Sequence, residues 1–490
     1  MSSGTNLASL LHRDVDGPAL VVDGVTVDHR ALAATAARWR GGLVAAGIGP
    51  GDRVAIVAGS GVEFVAAHLA VVGLGAISVP LNPLAPAAEL ARELLMVEPA
   101  AAVADQRFAP ALAAGIEQTL TLAIPALGPA DLDGADPVPI AEVTPDQPAV
   151  LLFTSGTAGR PKPAILTHGN LLAGLQAVLS LPVDLVTEPH VYLGVIPLFH
   201  VFGLNTVLHL ALLTGGTVVL GDYRDASSTI DLIHEHRVTI VPGPPTLWQA
   251  LTRAPDVEPG RFDSVRIALS GAAKLAPQLR IDVKDRLGLE LADGYGLTES
   301  AAVVAGSIGT DAPLGSVGRL MPGVEARIVD EDGADCLVGD PGELWVRGPM
   351  VFPGYWGVPE DEASGPLTDD GWLRTGDVAV VDEQGYLAIV DRRKDLIIVS
   401  GFNVFPAEVE GVIAAHPDVA EVGVVGEPSP TTGEAVVAFV VPEDGVDPDP
   451  EDLRRYCVEQ LARYKVPSRF VIQSNLPIGP TGKLQRTRLR

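Results

Sequence analysis

Residues 154–162 read TSGTAGRPK, hydroxyls and glycines closing on a single lysine, the composition of a loop that holds phosphate oxygens. A Walker-type loop is excluded. That loop needs glycine directly before its lysine and Ser or Thr directly after, so that backbone N–H groups cradle the phosphates as a helix begins. Here Pro161 and Pro163 flank Lys162. Proline supplies no N–H and keeps the residue before it extended, so the chain cannot enter a helix at its lysine. Taken alone, such a cluster after a strand is as often a tight turn. Three further stretches add weight. DGYGLTES (293–300) sets Tyr295 between Gly294 and Gly296, with Thr298 and Glu299 following. A flat aromatic beside bare backbone can stack on a purine, a hydroxyl can donate to a phosphate, and a carboxylate can hold Mg²⁺; the plainer role is a buried tyrosine and a helix cap. WLRTGDVA (372–379) offers Asp377, an acceptor able to take both hydroxyls of a ribose diol, although TGD is a common turn. PIGPTGKLQR (477–486) presents Lys483 on a loop framed by two prolines and two glycines, more shaping than a solvated tail requires.

These residues need elements to place them. β-Branched runs at 54–59, 76–81 and 149–156 alternate with Ala/Leu-rich amphipathic runs. That pattern predicts parallel sheets with helices on both faces and ligands at the carboxyl ends of strands. The 154–162 loop follows AVLLF at such an end. Beyond about residue 310, VEARIVDEDG, GELWVRG and GYLAIV, punctuated by DG and QG, predict a compact antiparallel β subdomain. From 394 onward the order strand, helix, strand, strand, helix, strand predicts a small α+β unit of about 100 residues. The expected fold is therefore α/β, with a large N-terminal domain (1–390) of doubly wound, mostly parallel sheets plus a β subdomain, and a small α+β C-terminal domain (391–490). The boundary falls in the charged segment DRRKD (391–395).

The whole chain of 490 residues carries a formal charge of −27, which opposes non-specific binding to nucleic acid or anionic membranes. Anionic substrates must then meet local basic groups, such as Arg160 with Lys162, Arg392 to Lys394, and the cluster from Lys483 to Arg490. Two cysteines far apart, Cys336 and Cys457, offer neither a disulfide framework nor a metal motif. The amino terminus lacks the pattern of a signal peptide. The most apolar stretch, 64–81, contains His68 and a closing proline and reads as a buried helix turning into a strand, not a membrane span. The cytoplasm is the expected compartment.

In order and spacing these motifs resemble the acyl-adenylate-forming synthetases, the superfamily of acyl-CoA ligases, aryl-acid ligases, peptide-synthetase adenylation domains and firefly luciferase. The resemblance runs from GIGPGDRVAIV (47–57) to PTGKLQR (480–486). It implies ATP, Mg²⁺ and CoA as cofactor and co-substrates. Thr154, Ser155, Gly156, Thr157 and Lys162 would contact the β- and γ-phosphates. Ser270, Gly271, Ala272 and Ala273 would line adenine, with Asp293, Gly294, Tyr295 and Gly296 completing that pocket. Thr298 would touch the α-phosphate, Glu299 would hold Mg²⁺, and Asp377 and Arg392 would bind ribose. Lys483 would be the catalytic lysine, a cation between two mutually repelling anions. The small domain would rotate about Lys394 to bring Gly401 toward the pantetheine of CoA. Ala158 stands where the family usually has threonine, Pro163 where it has glycine, and Lys274 where it often has proline.

VIPLFHVFGLN (195–205) matches the family's acyl-pocket region, with His200 as an aromatic gate beside the carboxylate; the plainer role is a core histidine. Its neighbours Phe199, Val201, Phe202 and Leu204 carry no charge to pair with an ammonium, which argues against an amino-acid substrate. VPGPPTLWQAL (241–251) adds apolar wall. A medium- or long-chain fatty acid is favoured, with an aryl or arylpropenoic acid the alternative. Free CoA is the simpler acceptor, while a separate carrier protein and a homodimer stay open. From other classes, a catalytically inactive nucleotide-binding regulator would bind ATP without turnover, and a luciferase-like oxidase would consume oxygen.

Overall fold

A computed structural model describes residues 5–11, 15–154, 161–222, 225–255, 257–258, 260–358, 365–392, 395–399, 402–479 and 483–489. The first sheet has six strands, in the order Ala126–Leu127, Ala101–Ala104, Arg53–Val57, Ile77–Pro80, Pro148–Thr154 and Lys162–Thr167. All pairs are parallel except the last. The second sheet has nine strands, and its parallel centre runs Leu291–Tyr295, Ile267–Ser270, Ile240–Gly243, Val191–Gly194, Thr217–Leu220 and Pro18–Val22. Residues 64–81 form the buried helix Val62–Gly73 and the strand Ile77–Pro80, as the apolar run predicts. Among the described residues no helix is long and apolar enough to cross a membrane.

The DG and QG signals hold. Strands Glu325–Val329, Gly342–Arg347, Leu373–Val381 and Leu387–Arg392 form a four-stranded antiparallel sheet. Gly385 takes φ +81 at its last turn, a left-handed value that costs glycine little. After it come Ile397–Val399, Phe402–Val404, helix Pro406–Ile413, Val419–Ser429, Gly433–Pro442, helix Pro450–Gln460 and Arg469–Ile472, whose strands make one sheet over their own core. Cys457 is wholly buried there, in the apolar stripe of its helix. One hairpin escapes the periodicity argument. Pro18–Val22 and Val25–Asp28, joined through Asp23 and Gly24 at φ +47 and +77, edge the second sheet. It escapes because Pro18 and a run of only four residues dilute the alternation.

Candidate active site

The carboxyl end of Pro148–Thr154 in the first sheet and that of Leu291–Tyr295 in the second meet through Tyr355. Pro148–Thr154 turns back on itself, Thr154 pairing with Lys162 and Phe153 with Pro163. The lysine between prolines thus opens an antiparallel strand, not a helix. Ser155, Gly156 and Thr157 lie outside the described residues, as do Lys394, Gly401 and the side chain of Arg392.

Lys162 places Nζ 5.5 Å from the centre of the Tyr355 ring, and the Tyr355 hydroxyl donates to Glu299 Oε1 at 2.6 Å. Burial and the charge of Glu299 hold that phenol well above its ordinary pKa, so it remains a donor. Sequence reasoning missed Tyr355; its only signal was an aromatic after proline and glycine in FPGYW. Thr298 and Glu299 sit on a short 3₁₀ turn, Thr298–Ser300, after the strand Leu291–Tyr295. The turn is closed by Ala301 and Ala302, both at positive φ (+52 and +75), a strained geometry that collects at functional sites. It forces glycine at 296, where a Cβ would lie 2.0 Å from the Ala302 carbonyl oxygen.

The 270–273 loop follows the strand Ile267–Ser270. Among the described residues Ser270 Oγ is buried without a partner, Ala272 is held at φ +68, and Gly271 lies against the Phe202 ring. An unsatisfied hydroxyl at a strand end is what a site for a polar ligand leaves behind. Asp293 is buried; loss of water pushes its carboxyl up to about 7, while the Gly294 N–H and Arg280 pull the other way. Tyr295 donates its hydroxyl to Asp377 Oδ2 at 2.6 Å. One Asp377 oxygen is therefore engaged by Tyr295, which the expectation of two ribose bonds did not foresee. Asp377 and Arg392 lie opposite each other on neighbouring strands.

His200 introduces a π-helix, Phe202–His209, rare geometry that favours functional sites. Its Nδ1 accepts the Phe202 N–H at 3.2 Å, which leaves the imidazole proton on Nε2. Burial, and then the charge of Lys483, push its pKa down to about 3. Two residues from distant parts of the chain thus lie close enough for one charge to act on the other. The backbone of Lys483 is held in place, the Gly479 N–H donating to its carbonyl at 2.7 Å.

Arg486, three residues on, forks onto Glu410 at 2.8 and 2.7 Å and reaches Asp395 at 3.6 Å. Trp248, expected in the acyl wall, is wholly buried and donates to the Leu269 carbonyl. Glu299 fits Mg²⁺, which takes one or two carboxylates plus substrate phosphates; among the described residues its side-chain partner is Tyr355. A separate group, His416, Asp418 and Asp452, gathers in the small lobe. There the Asp418 N–H occupies His416 Nδ1 and the other nitrogen faces Asp452, so it offers a cation little.

Residues 9–356 match the AMP-binding enzyme family and residues 408–483 the AMP-binding enzyme C-terminal domain. The chain belongs to the AMP-binding enzyme family. A feruloyl-CoA synthase from Amycolatopsis sp is 36% identical over 470 residues, 95% of this chain and 94% of that one. A long-chain-fatty-acid–CoA ligase from Bacillus subtilis (strain 168) is 36% identical over 344 residues, 70% of this chain and 61% of that one. ATP-bound MatB from Rhodopseudomonas palustris superposes with a TM-score of 0.92 at 32% identity, over 100% of this chain and 98% of that one. Its apo form gives 0.79 over the same shares.

Proposed function

We propose that this AMP-forming acyl-CoA ligase activates an apolar monocarboxylic acid and passes the acyl group to the thiol of CoA. In the first step a carboxylate oxygen attacks the α-phosphorus of ATP and the bond to pyrophosphate breaks. In the second the CoA thiol attacks the acyl carbon, loses its proton and releases AMP. Lys483 neutralises the carboxylate and the α-phosphate as they approach. The observation that carries this reading is the convergence of Lys162, Tyr355 and Glu299, with Tyr295 joined to Asp377, while the charge of Lys483 is felt at buried His200.

Thr154 and Lys162 hold the leaving pyrophosphate together with Ser155, Gly156 and Thr157, Thr298 donates to the α-phosphate, and Glu299 holds Mg²⁺, which supplies charge neutralisation to the phosphates. Gly271 to Ala273 and Asp293 to Gly296 frame adenine; Asp377 and Arg392 take the ribose. Residues 1–390 and 391–490 act as two domains, and rotation at Lys394 withdraws Lys483 and brings Gly401 to the thiol. The better match to the ATP-bound than to the apo relative supports an adenylate-forming arrangement here.

A medium- or long-chain fatty acid is the first reading of the substrate, from the uncharged wall at 199–204. An arylpropenoic acid is the second, favoured by the match to the feruloyl-CoA synthase across nearly the whole of both chains. Pyrophosphate release with acetate, octanoate, palmitate, benzoate and coumarate, each with and without CoA, separates them. Replacing the lysine, Lys483→Ala, should slow adenylation by about a hundredfold or more, as loss of a transition-state donor does. An unchanged rate would remove the mechanism.

A further inference from the structure

Lys274 directly follows the 270–273 loop, where proline is frequent in the family. Its Nζ donates to the Val390 carbonyl oxygen at 3.1 Å, 116 residues further along. That carbonyl stands at the entry to the proposed pivot, and the groups around it belong to both lobes. The next residue, Asp391, is buried and accepts the Ala407 N–H at 2.8 Å, capping the small lobe's helix Pro406–Ile413 from the strand Leu387–Arg392. One turn along that helix, Glu410 is forked by Arg486, which also reaches Asp395. Lys274 is exposed as a residue, while its ammonium is held at the seam by the Val390 carbonyl. There loss of water and Arg486 lower its proton affinity, and Asp391, Glu410 and Glu408 raise it.

We propose that Lys274 is a positioning residue that anchors the small domain in the adenylate-forming orientation. The bond from the ammonium to the Val390 carbonyl fixes the strand end at Asp391, which caps the helix Pro406–Ile413 across the pivot; the same charge also acts on Glu408 and Glu410 of that helix, which Lys465 and Arg486 already pair. Arg486 ties the same helix to the segment carrying Lys483, so seating the helix seats the catalytic lysine. A proline at 274 has no charge to do this. Rotation for the thiol step carries Glu408 and Glu410 away, so the attraction acts in one orientation only. The inference rests on the two-orientation reading above.

The test compares the parent with Lys274→Met, which keeps the stem, and Lys274→Arg, which keeps the charge. The readouts are ATP–pyrophosphate exchange with the best acid of the panel, AMP binding, and consumption of supplied acyl-AMP with CoA. Exchange should fall roughly threefold in Lys274→Met, the size expected of a partly exposed charge interaction, and recover in Lys274→Arg. AMP binding should hold, and acyl-AMP consumption should hold or rise. Raising salt from about 0.05 to about 0.5 M should slow exchange more in the parent than in Lys274→Met, because screening removes the attraction. Unchanged exchange in Lys274→Met, or an equal fall in both half-reactions, would overturn the proposal. If the parent consumes no acyl-AMP with CoA, the ligase reading fails, and the exchange and salt measurements still decide the anchor.

Discussion

Tyr355 joins groups that are remote in sequence. Its hydroxyl fixes one oxygen of Glu299 and its ring lies under the Lys162 ammonium. A hydrogen bond from a buried donor to a carboxylate is worth about 1.5–3 kcal/mol, and its loss leaves that oxygen to find water. Tyr355→Phe keeps the ring and removes only the bond. Adenylation should slow about tenfold, and the Mg²⁺ concentration for half-maximal rate should rise. A rate loss with unchanged Mg²⁺ dependence would place the hydroxyl's effect elsewhere. None of this was legible from DGYGLTES alone, since local sequence names the carboxylate but not what orients it.

Among the elements, the turn Thr298–Ser300 is defined by what surrounds it. Gly296 lies so close to the Ala302 carbonyl that a methyl would overlap it, and the two left-handed alanines cannot relax without moving Thr298 and Glu299. Gly296→Ala should lower stability by about 2 kcal/mol or more and depress adenylation further than its lost stability explains, as urea titration beside a rate assay at low temperature would reveal. The π-helix contributes from the other side. Asn205 Nδ2 donates to the Ala301 carbonyl at 3.1 Å and to the Leu171 carbonyl at 3.3 Å. With its nitrogen so committed, Asn205 Oδ1 must accept from His209 Nδ1 at 3.0 Å. His209 Nε2 then accepts from His68 Nε2 at 2.9 Å, and His68 Nδ1 accepts from Ser78 Oγ at 3.0 Å. Each proton in this buried row has one possible place. Asn205→Leu removes the side-chain donor to the Ala301 carbonyl and the acceptor of an imidazole N–H, and should cost about 2–4 kcal/mol in urea unfolding.

That row runs from the strand Ile77–Pro80 of the first sheet to the turn after the strand Leu291–Tyr295 of the second. Its histidines, and His168 beside them, must stay neutral. Burial lowers His68 from 6.5 to about 3 and His168 to about 4, and holds His209 well below 6.5. Between those values and 6.5 the unfolded chain binds more protons than the folded one. Stability therefore falls as pH drops below about 6.5, at up to about 1.4 kcal/mol per pH unit for each such group. Asp293, raised to about 7 by burial, works in the opposite sense, so the comparison is best made as a difference. His168→Gln should flatten the fall in unfolding midpoint between about pH 6.5 and pH 5 relative to the parent, and an identical slope would show that His168 titrates normally.

Short stretches of chain were enough to place the strands Arg53–Val57, Ile77–Pro80 and Pro148–Thr154 and several of the later antiparallel ones, to mark the DG and QG turns, and to single out Thr154, Lys162, Tyr295, Glu299, Asp377 and Lys483 as candidates for a nucleotide site. Those properties are local: periodicity, proline geometry and side-chain chemistry are written in short stretches of chain. Packing in three dimensions settled the rest, namely that the charge of Lys483 reaches buried His200, that Tyr355 holds Glu299, that Tyr295 engages Asp377, and that a row of neutral histidines backs the turn. Such meetings depend on how separate sheets stack, and no spacing along the chain encodes the distance between side chains on different sheets.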